Sequence, residues 1–230
     1  MSNANAPVTI SAKSATLSAA KTYDGTNSLT GNVTIATGIS GESLTYTGAT
    51  ASDANVATAN KYISAITLAD GTGGAASNYL LPTLNNANAP VSIAAKTLTV
   101  SGTTAGNKTY DGTTAATLSN GTLVGVVPAD AANVTLTQAG TFATQNFGTA
   151  ITVTAADSLG GSALGNYTLT QPTGLSANIA AKTVTLSAAK TYDGTNSLTG
   201  NVTIATGISG ESLTYTGATA SDANVATANK

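Results

Sequence analysis

Aspartates beside glycine-rich turns are the side chains in this sequence that could most readily bind an ion. Carboxylate oxygens suit Ca²⁺, which needs roughly six to eight converging oxygen ligands. The sequence contains no Asp-x-Asp-x-Asp series, so we predict that the chain holds no tightly bound metal. The aspartates considered are Asp24, Asp53, Asp70, Asp111, Asp130 and Asp157.

A lysine and an asparagine offer a second possible chemistry, because Lys–Asn pairs form intramolecular cross-links in some proteins. Lys96 opens one repeat of this sequence and Asn166 lies near its end. The simpler interpretation is a solvated lysine at a strand edge, where its charge discourages pairing with another sheet. We favour that interpretation over a cross-link.

The composition excludes most catalytic and nucleic-acid-binding functions. The chain has no His, Cys or Arg, and therefore lacks the usual near-neutral base, the thiol nucleophile and the normal zinc ligands. Only 8% of residues are charged and the net charge is -2, whereas phosphate binding needs clustered cations. Paired carboxylates of the hydrolase type are also too few. We predict no enzyme activity, no catalytic residue, no cofactor and no nucleic-acid partner.

One hexapeptide, Lys-Thr-Tyr-Asp-Gly-Thr, occurs three times, at residues 21–26, 108–113 and 190–195. We call it the YDG box. Asp can close a turn, Gly can adopt a positive φ, and Tyr can pack on a core with its hydroxyl bonded to backbone, as in a tyrosine corner. The box is therefore predicted to be structural.

Internal repetition dominates the chain, since residues 16–61 recur unchanged as 185–230. The period is the size of a small domain, longer than the rungs of a solenoid, and predicts separate domains that each have a core. The third repeat stops at the point that matches Lys61, so we expect a piece of a longer array. The predicted segments are a closing strand of a preceding repeat (1–12), repeat one (13–95), repeat two (96–181) and a truncated repeat three (182–230).

Apolar residues alternate with Thr and Ser, as in Val33-Thr34-Ile35 and Leu98-Thr99-Val100, which is the signal of half-buried strands. Asp-Gly, Ser-Gly and Gly-Gly turns separate these runs. The sequence therefore predicts an all-β fold, as a tandem array of small immunoglobulin-like β-sandwiches. A β-grasp-like repeat is the alternative. Neither a signal peptide nor a membrane-spanning run is present in this segment.

The repeated motifs resemble the YDG and MBG repeat domains of large bacterial exoproteins similar to filamentous haemagglutinin. The matching motifs are Lys96–Val100, the YDG box, Asn146–Thr149 and Gly165–Leu169. The resemblance covers the whole of repeat two, and repeat one departs from it around Asn60-Lys61-Tyr62. It implies domains that extend an adhesin from the cell surface, and it supplies no catalytic or ligand residues.

Two functions follow as hypotheses. The first is a structural stalk or spacer of a bacterial surface adhesin or extracellular filament, which supports cell adhesion or biofilm attachment. The alternative is a module that binds glycan or host protein directly, and this would need exposed aromatic faces. Tyr62, Phe142 and Phe147 are the aromatic residues to inspect for such a role.

The predicted partners are neighbouring repeats of the same polypeptide. A truncated repeat three would expose a sheet edge, and residues 5–12 would form an orphan closing strand. Such edges tend to pair between chains. We therefore expect repeat three either to be poorly ordered in a monomer or to accept the N-terminal strand of another copy, head to tail.

Overall fold

The computed structural model describes residues 7–226, and its regular structure consists of β-strands and three short 3-10 helices. The prediction of an all-β fold is confirmed. Within the described residues, no helix is long and apolar enough to cross a membrane.

The strands follow the repeats closely. Repeat one contains β1 (Lys13–Ser14), β2 (Thr16–Thr22), β3 (Val33–Ala36), β4 (Leu44–Ala51), β5 (Ile63–Asp70), β6 (Tyr79–Leu80) and β7 (Val91–Ala94). Repeat two contains β8 (Lys96–Ser101), β9 (Thr104–Ala105), β10 (Lys108–Thr109), β11 (Ala115–Ala116), β12 (Leu118–Ser119), β13 (Thr122–Val124), β14 (Thr135–Thr137), β15 (Gly140–Phe142), β16 (Gly148–Ala155), β17 (Ser158–Gly160), β18 (Tyr167–Thr170) and β19 (Leu175–Ala180). Repeat three contains β20 (Thr185–Ala188) and β21 (Val202–Ala205). The 3-10 helices are Ala76–Asn78, Pro128–Asp130 and Leu164–Asn166.

Alternation along the sequence explains why these segments are strands. In β2, Leu17, Ala19 and Lys21 are buried, and the residues between them are exposed. Because successive side chains on a strand point to opposite faces, this pattern buries one face and leaves Thr and Ser in water. Lys21 is the unexpected member of the buried face.

The first two repeats use the same strand pairings. The opening strand pairs in parallel with a later Tyr-containing strand, with Lys13 opposite Tyr79 in β1–β6 and Lys96 opposite Tyr167 in β8–β18. The strand that leads into the YDG box pairs in parallel with the last strand of its repeat, as β2–β7 and β10–β19. β3 pairs antiparallel with β2, and β13 pairs antiparallel with β8. The two parallel pairings therefore occur in both repeats.

In repeat three, β20 and β21 pair antiparallel, as β2 and β3 do in repeat one. Residues 7–12 of the predicted N-terminal closing strand lie outside any strand, and the rest of that segment falls outside the described residues. Residues 227–230 of repeat three also fall outside them.

The compact units do not coincide with the repeats. The first unit comprises the described residues through Gly102 together with Gly121–Thr137 and Asp157–Pro172. The second comprises Thr103–Asn120, Gln138–Ala156 and the described residues from Thr173 onward. Repeat two thus contributes strands to both units. The repeat boundaries at Lys13, Lys96 and Lys182 stay a sequence prediction.

The main core of the first unit is built from two repeats. Leu29 and Ile63 of repeat one and Leu98 of repeat two are each fully buried in it, and Val134 of repeat two packs there as well. The sequence predicted a core for each repeat, whereas this cluster combines side chains of repeats one and two; a smaller cluster of Ala15, Leu44 and Tyr79 belongs to repeat one alone. The second unit has its own core around Phe142, Val153 and Ile179.

Because repeats one and two share a core, a cavity-forming substitution in repeat two should lower the stability of repeat one. Leu98→Ala should destabilise the first unit by about 2–5 kcal/mol, since it leaves a cavity at a site with no exposure. Hydrogen exchange of the β2 and β5 amides should speed up in Leu98→Ala and stay near wild type in Val124→Ala, a change at a half-exposed side chain. Unchanged exchange of repeat-one amides in Leu98→Ala would show that repeat one has an independent core.

Candidate functional site

The Asp and Gly of the YDG box form a tight turn. The Thr26 backbone N–H and hydroxyl both donate to Asp24 Oδ1, each at 2.9 Å. Gly25 lies at φ 82°, a left-handed conformation that suits glycine. The predicted roles of Asp and Gly are confirmed.

The lysine of the box stabilises this turn, a role that sequence reasoning missed. Lys21 is 8% exposed, and its Nζ donates to Asp24 Oδ1 at 2.6 Å, the Thr26 carbonyl at 3.1 Å and the Ser28 carbonyl at 2.9 Å. These acceptors match the three donors of an ammonium group, so the buried charge is satisfied. The signal was present, since a lysine opens every copy of the box.

The same contacts recur in the other two boxes. Lys108 Nζ lies 2.7 Å from Asp111, and Lys190 Nζ lies 2.7 Å from Asp193. The lysine hydrogen bond, aided by the Thr N–H, lowers the pKa of Asp111 and of Asp193 to about 2. Burial alone would raise the pKa of Asp24, but bonds from Lys21 and Thr26 outweigh it and lower that pKa too. The three turns thus share the bonds of the lysine to the aspartate carboxylate and to the threonine carbonyl.

The tyrosine of the box makes a contact that sequence reasoning did not predict. Its hydroxyl was expected to bond to backbone, but Tyr23 instead donates to Asp130 Oδ2, at 2.8 Å, in the next repeat. The backbone-bonding role belongs to Tyr46, whose hydroxyl donates to the Leu29 carbonyl at 2.9 Å and accepts from the Val33 N–H at 3.1 Å. The box tyrosine therefore connects repeats.

A second tyrosine meets the same carboxylate. Tyr167, which lies on β18, donates to Asp130 Oδ2 at 2.7 Å and accepts from the Val127 N–H at 3.1 Å. The rings of Tyr23 and Tyr167 pack edge to face, with centroids 5.4 Å apart. We call this contact the tyrosine junction: Tyr23 and Gly25 of one repeat with Val127, Asp130 and Tyr167 of the next.

Gly25 lets the two repeats approach closely. A Cβ atom at this position would lie 2.7 Å from Val127 Cγ1, which is inside van der Waals contact. Glycine is therefore favoured at this position for two reasons: the turn needs a positive φ, and the neighbouring repeat leaves no room for a Cβ atom.

Repeats two and three make an equivalent contact within the second unit. The Tyr110 hydroxyl hydrogen-bonds to the Glu211 carboxylate. A Cβ at Gly112 would lie 2.9 Å from Ile208 Cγ2. The acceptor loop here is residues 207–211, whose sequence is identical to residues 38–42 of repeat one.

The aspartates considered for calcium lie in separate places. Among residues 7–226, no group of three carboxylates is close enough to hold a metal ion. Asp53 and Asp70 accept bonds from the backbone N–H groups of Asn55 and Ala76, at 2.6 and 2.7 Å, as turn-closing aspartates do.

Asn166 also has a structural role. Its buried side chain accepts from the Val56 N–H at 2.8 Å and donates to Asn55 Oδ1 at 3.0 Å, so both ends of the amide contact repeat one. Lys96 lies opposite Tyr167 in the β8–β18 ladder. Asn166 thus supports the contact between repeats, and the described contacts of its amide do not include Lys96.

The three aromatic residues singled out for ligand binding differ in exposure. Phe142 is buried in the second core, with Lys108 Nζ 5.6 Å from its ring centre. Tyr62 is partly buried, whereas Phe147 is 68% exposed. Only Phe147 presents a broad aromatic face to solvent among the three.

The fold is all-β, and the same aspartate-closed turn occurs in each of the three boxes. The chain belongs to the YDG domain family, whose model matches residues 4–87 and 94–174 as two copies. Comparison with curated proteins and with solved structures gives no significant match.

The tyrosine junction predicts a loss of stability at high pH. Burial, aided by the Asp130 hydrogen bond, raises the pKa of Tyr23 and of Tyr167 to about 12, from about 10 in an unfolded chain. The fold favours the neutral phenols, so their contribution is complete below pH ~10 and disappears as the pH rises from ~10 to ~12. Urea unfolding between pH 8 and 12 should show this loss.

The matched control is the double variant Tyr23→Phe, Tyr167→Phe, which should lose less stability across the same pH range. All other ionisable groups are common to the two proteins, so the comparison isolates the two hydroxyls. Equal losses in the two proteins would contradict the assigned role of the hydroxyls.

Gly25→Ala should destabilise the first unit more than Gly31→Ala. Both glycines have positive φ, 82° and 77°, so each change costs about 1–2 kcal/mol in backbone strain. Only Gly25→Ala adds the clash with Val127, since a Cβ at Gly31 meets nothing within 4 Å. Adding Val127→Ala to Gly25→Ala should recover part of the loss in a double-mutant cycle. Equal destabilisation by the two glycine changes would remove the close-approach argument.

Proposed function

We propose that this chain is a structural stalk or spacer from a bacterial surface adhesin or extracellular filament. Its repeats would extend the parent protein from the cell and so support adhesion or biofilm attachment. The observation that supports this most directly is the junction of repeats one and two, where one core and the Tyr23–Asp130 hydrogen bond join consecutive repeats. The resemblance of the YDG box and its flanking motifs to bacterial exoproteins points the same way.

A stalk needs repeats that hold their mutual orientation. Only Ala95 separates β7 from β8, so the chain passes from repeat one to repeat two without a flexible linker. A flexible linker would let the domains collapse into a coil, whose length grows only with the square root of residue number. A bonded junction instead keeps length proportional to the number of repeats.

The proposal includes an extracellular location, a tandem arrangement and the absence of catalysis. The absence of catalysis is supported by the low content of charged residues, 8%, and by the engagement of the YDG-box side chains in turns and junctions. An immunoglobulin-like sandwich is the finer fold that we propose for each repeat, with a β-grasp-like repeat as the alternative.

Direct binding of a glycan or a protein is the second candidate. Phe147 favours it, because its exposed ring lies beside Asn146 in a shallow apolar depression that also contains Leu213. An exposed aromatic face next to a polar amide suits a sugar ring.

Replacing the repeats in the parent protein distinguishes the two candidates. We expect a spacer of equal length made from unrelated rigid domains to preserve adhesion of whole cells, and a short flexible replacement to abolish it. The control is Phe147→Ala in the native repeats, which should adhere like wild type. Loss of adhesion in both the rigid replacement and Phe147→Ala would instead establish direct binding.

A further inference from the structure

In each of the first two repeats, strands near the start of the repeat run parallel to strands near its end. In repeat one, β2 pairs with β7, from Ala19 opposite Val91 to Thr22 opposite Ala94. In repeat two, β10 pairs in the same way with β19. The opening strands β1 and β8 are also parallel to their partners, β6 and β18. Each repeat therefore has parallel ladders between the point where the chain enters and the point where it leaves.

Parallel pairing decides how tension along the chain acts on these bonds. The chain enters β2 at Thr16, at one end of the ladder, and leaves β7 at Ala94, at the other end. A pull between those two points therefore slides the strands along each other. Because the bonds of a parallel ladder are evenly spaced along the strands, all of them resist this sliding together. In an antiparallel hairpin pulled at its open end, the same tension would reach one pair at a time.

The β2–β7 ladder is closed by bonds at both ends. The Ala19 N–H donates to the Pro90 carbonyl at 3.0 Å, and the Tyr23 N–H donates to the Ala94 carbonyl at 2.9 Å. Between these bonds, the side chain of Ile93 is buried in the main core of the first unit. Sliding of β7 would therefore break the hydrogen bonds and also draw an apolar side chain out of a close-packed interior.

The connection to repeat two delivers tension to this ladder directly. Only Ala95 separates β7 from β8, so no flexible linker absorbs a pull. Tyr23, which directly follows the last residue of β2, donates to Asp130 of repeat two. Repeat two is thus joined to β7 through the backbone and to β2 through the tyrosine junction. The ladder and the junction share the load between the two repeats.

We propose that the β2–β7 ladder is a mechanical clamp that keeps repeat one folded when the array is under tension. The β10–β19 ladder has the same role in repeat two. Bearing load is a function beyond that of a spacer, which only sets a length. It rests on the strand geometry inside single repeats and holds whether or not the array serves as a surface stalk.

Two pulling directions on the full chain test the clamp. The sequence has no cysteine, so two introduced cysteines can carry the handles for single-molecule force spectroscopy. Thr16→Cys with Ala94→Cys loads the ladder from opposite ends, and Thr22→Cys with Ala94→Cys loads it from one end; all three side chains are exposed. Four residue pairs share the load in the first direction, whereas one pair carries it in the second. The mean unfolding force should therefore be roughly two- to fourfold higher in the first direction.

Urea unfolding without load is the matched control. Forced unfolding depends on the rate of unfolding along the pulled direction, whereas urea acts without a direction. The two double variants should therefore have similar urea midpoints although their unfolding forces differ, and the gain in chain length at each event identifies repeat one. Equal forces in the two directions, or a lower force for the Thr16–Ala94 direction, would overturn the clamp. Either result would leave the spacer proposal in place, because that proposal concerns length alone.

Discussion

The arrangement of the first two repeats depends on one carboxylate, that of Asp130. Two hydroxyls, from Tyr23 in repeat one and Tyr167 in repeat two, donate to the same oxygen at 2.8 and 2.7 Å. Hydrogen bonds to an ionised acceptor are stronger than neutral ones, and a partly buried setting strengthens them further. Apolar contacts around Leu98 supply most of the burial, but they are non-directional and do not fix one relative position of the two repeats. Because both tyrosine hydroxyls must reach the same oxygen at once, that oxygen fixes the position of Tyr23 relative to Tyr167.

That geometry requires a rigid turn, and a lysine provides it. In a chain without cysteine, Lys21 links Asp24, Thr26 and Ser28 through its ammonium group. The charge is tolerated at 8% exposure because every donor has an acceptor. The turn thereby holds Tyr23 and Gly25 in the orientation that the neighbouring repeat accepts. Within the YDG box, Lys21 and Asp24 therefore stabilise the turn, and Tyr23 and Gly25 contact the neighbouring repeat.

Local features of this fold could be predicted from the sequence, and long-range ones could not. Alternation marks β2, and an Asp-Gly pair marks the turn at Gly25, because both depend on neighbours along the chain. The partner of Tyr23 lies 107 positions away, and no local pattern identifies it. The period of the sequence predicted separate cores, yet buried side chains of repeats one and two pack in one cluster. A clue was available: the two glutamates, Glu42 and Glu211, occupy the same position in their repeats.

The acceptor loops show that position matters more than residue type at this junction. The carboxylate follows the apolar contact residue at the same spacing in each repeat, as Ile39 to Glu42 and as Val127 to Asp130. Repeats one and three reach it through a glycine turn, in which Gly41 at φ 81° precedes Glu42. Repeat two reaches it through a 3-10 helix that Pro128 opens and that ends at Asp130. Proline fixes φ at the start of that helix and restricts the loop. Two local solutions therefore place a carboxylate where a tyrosine from the preceding repeat can bind it.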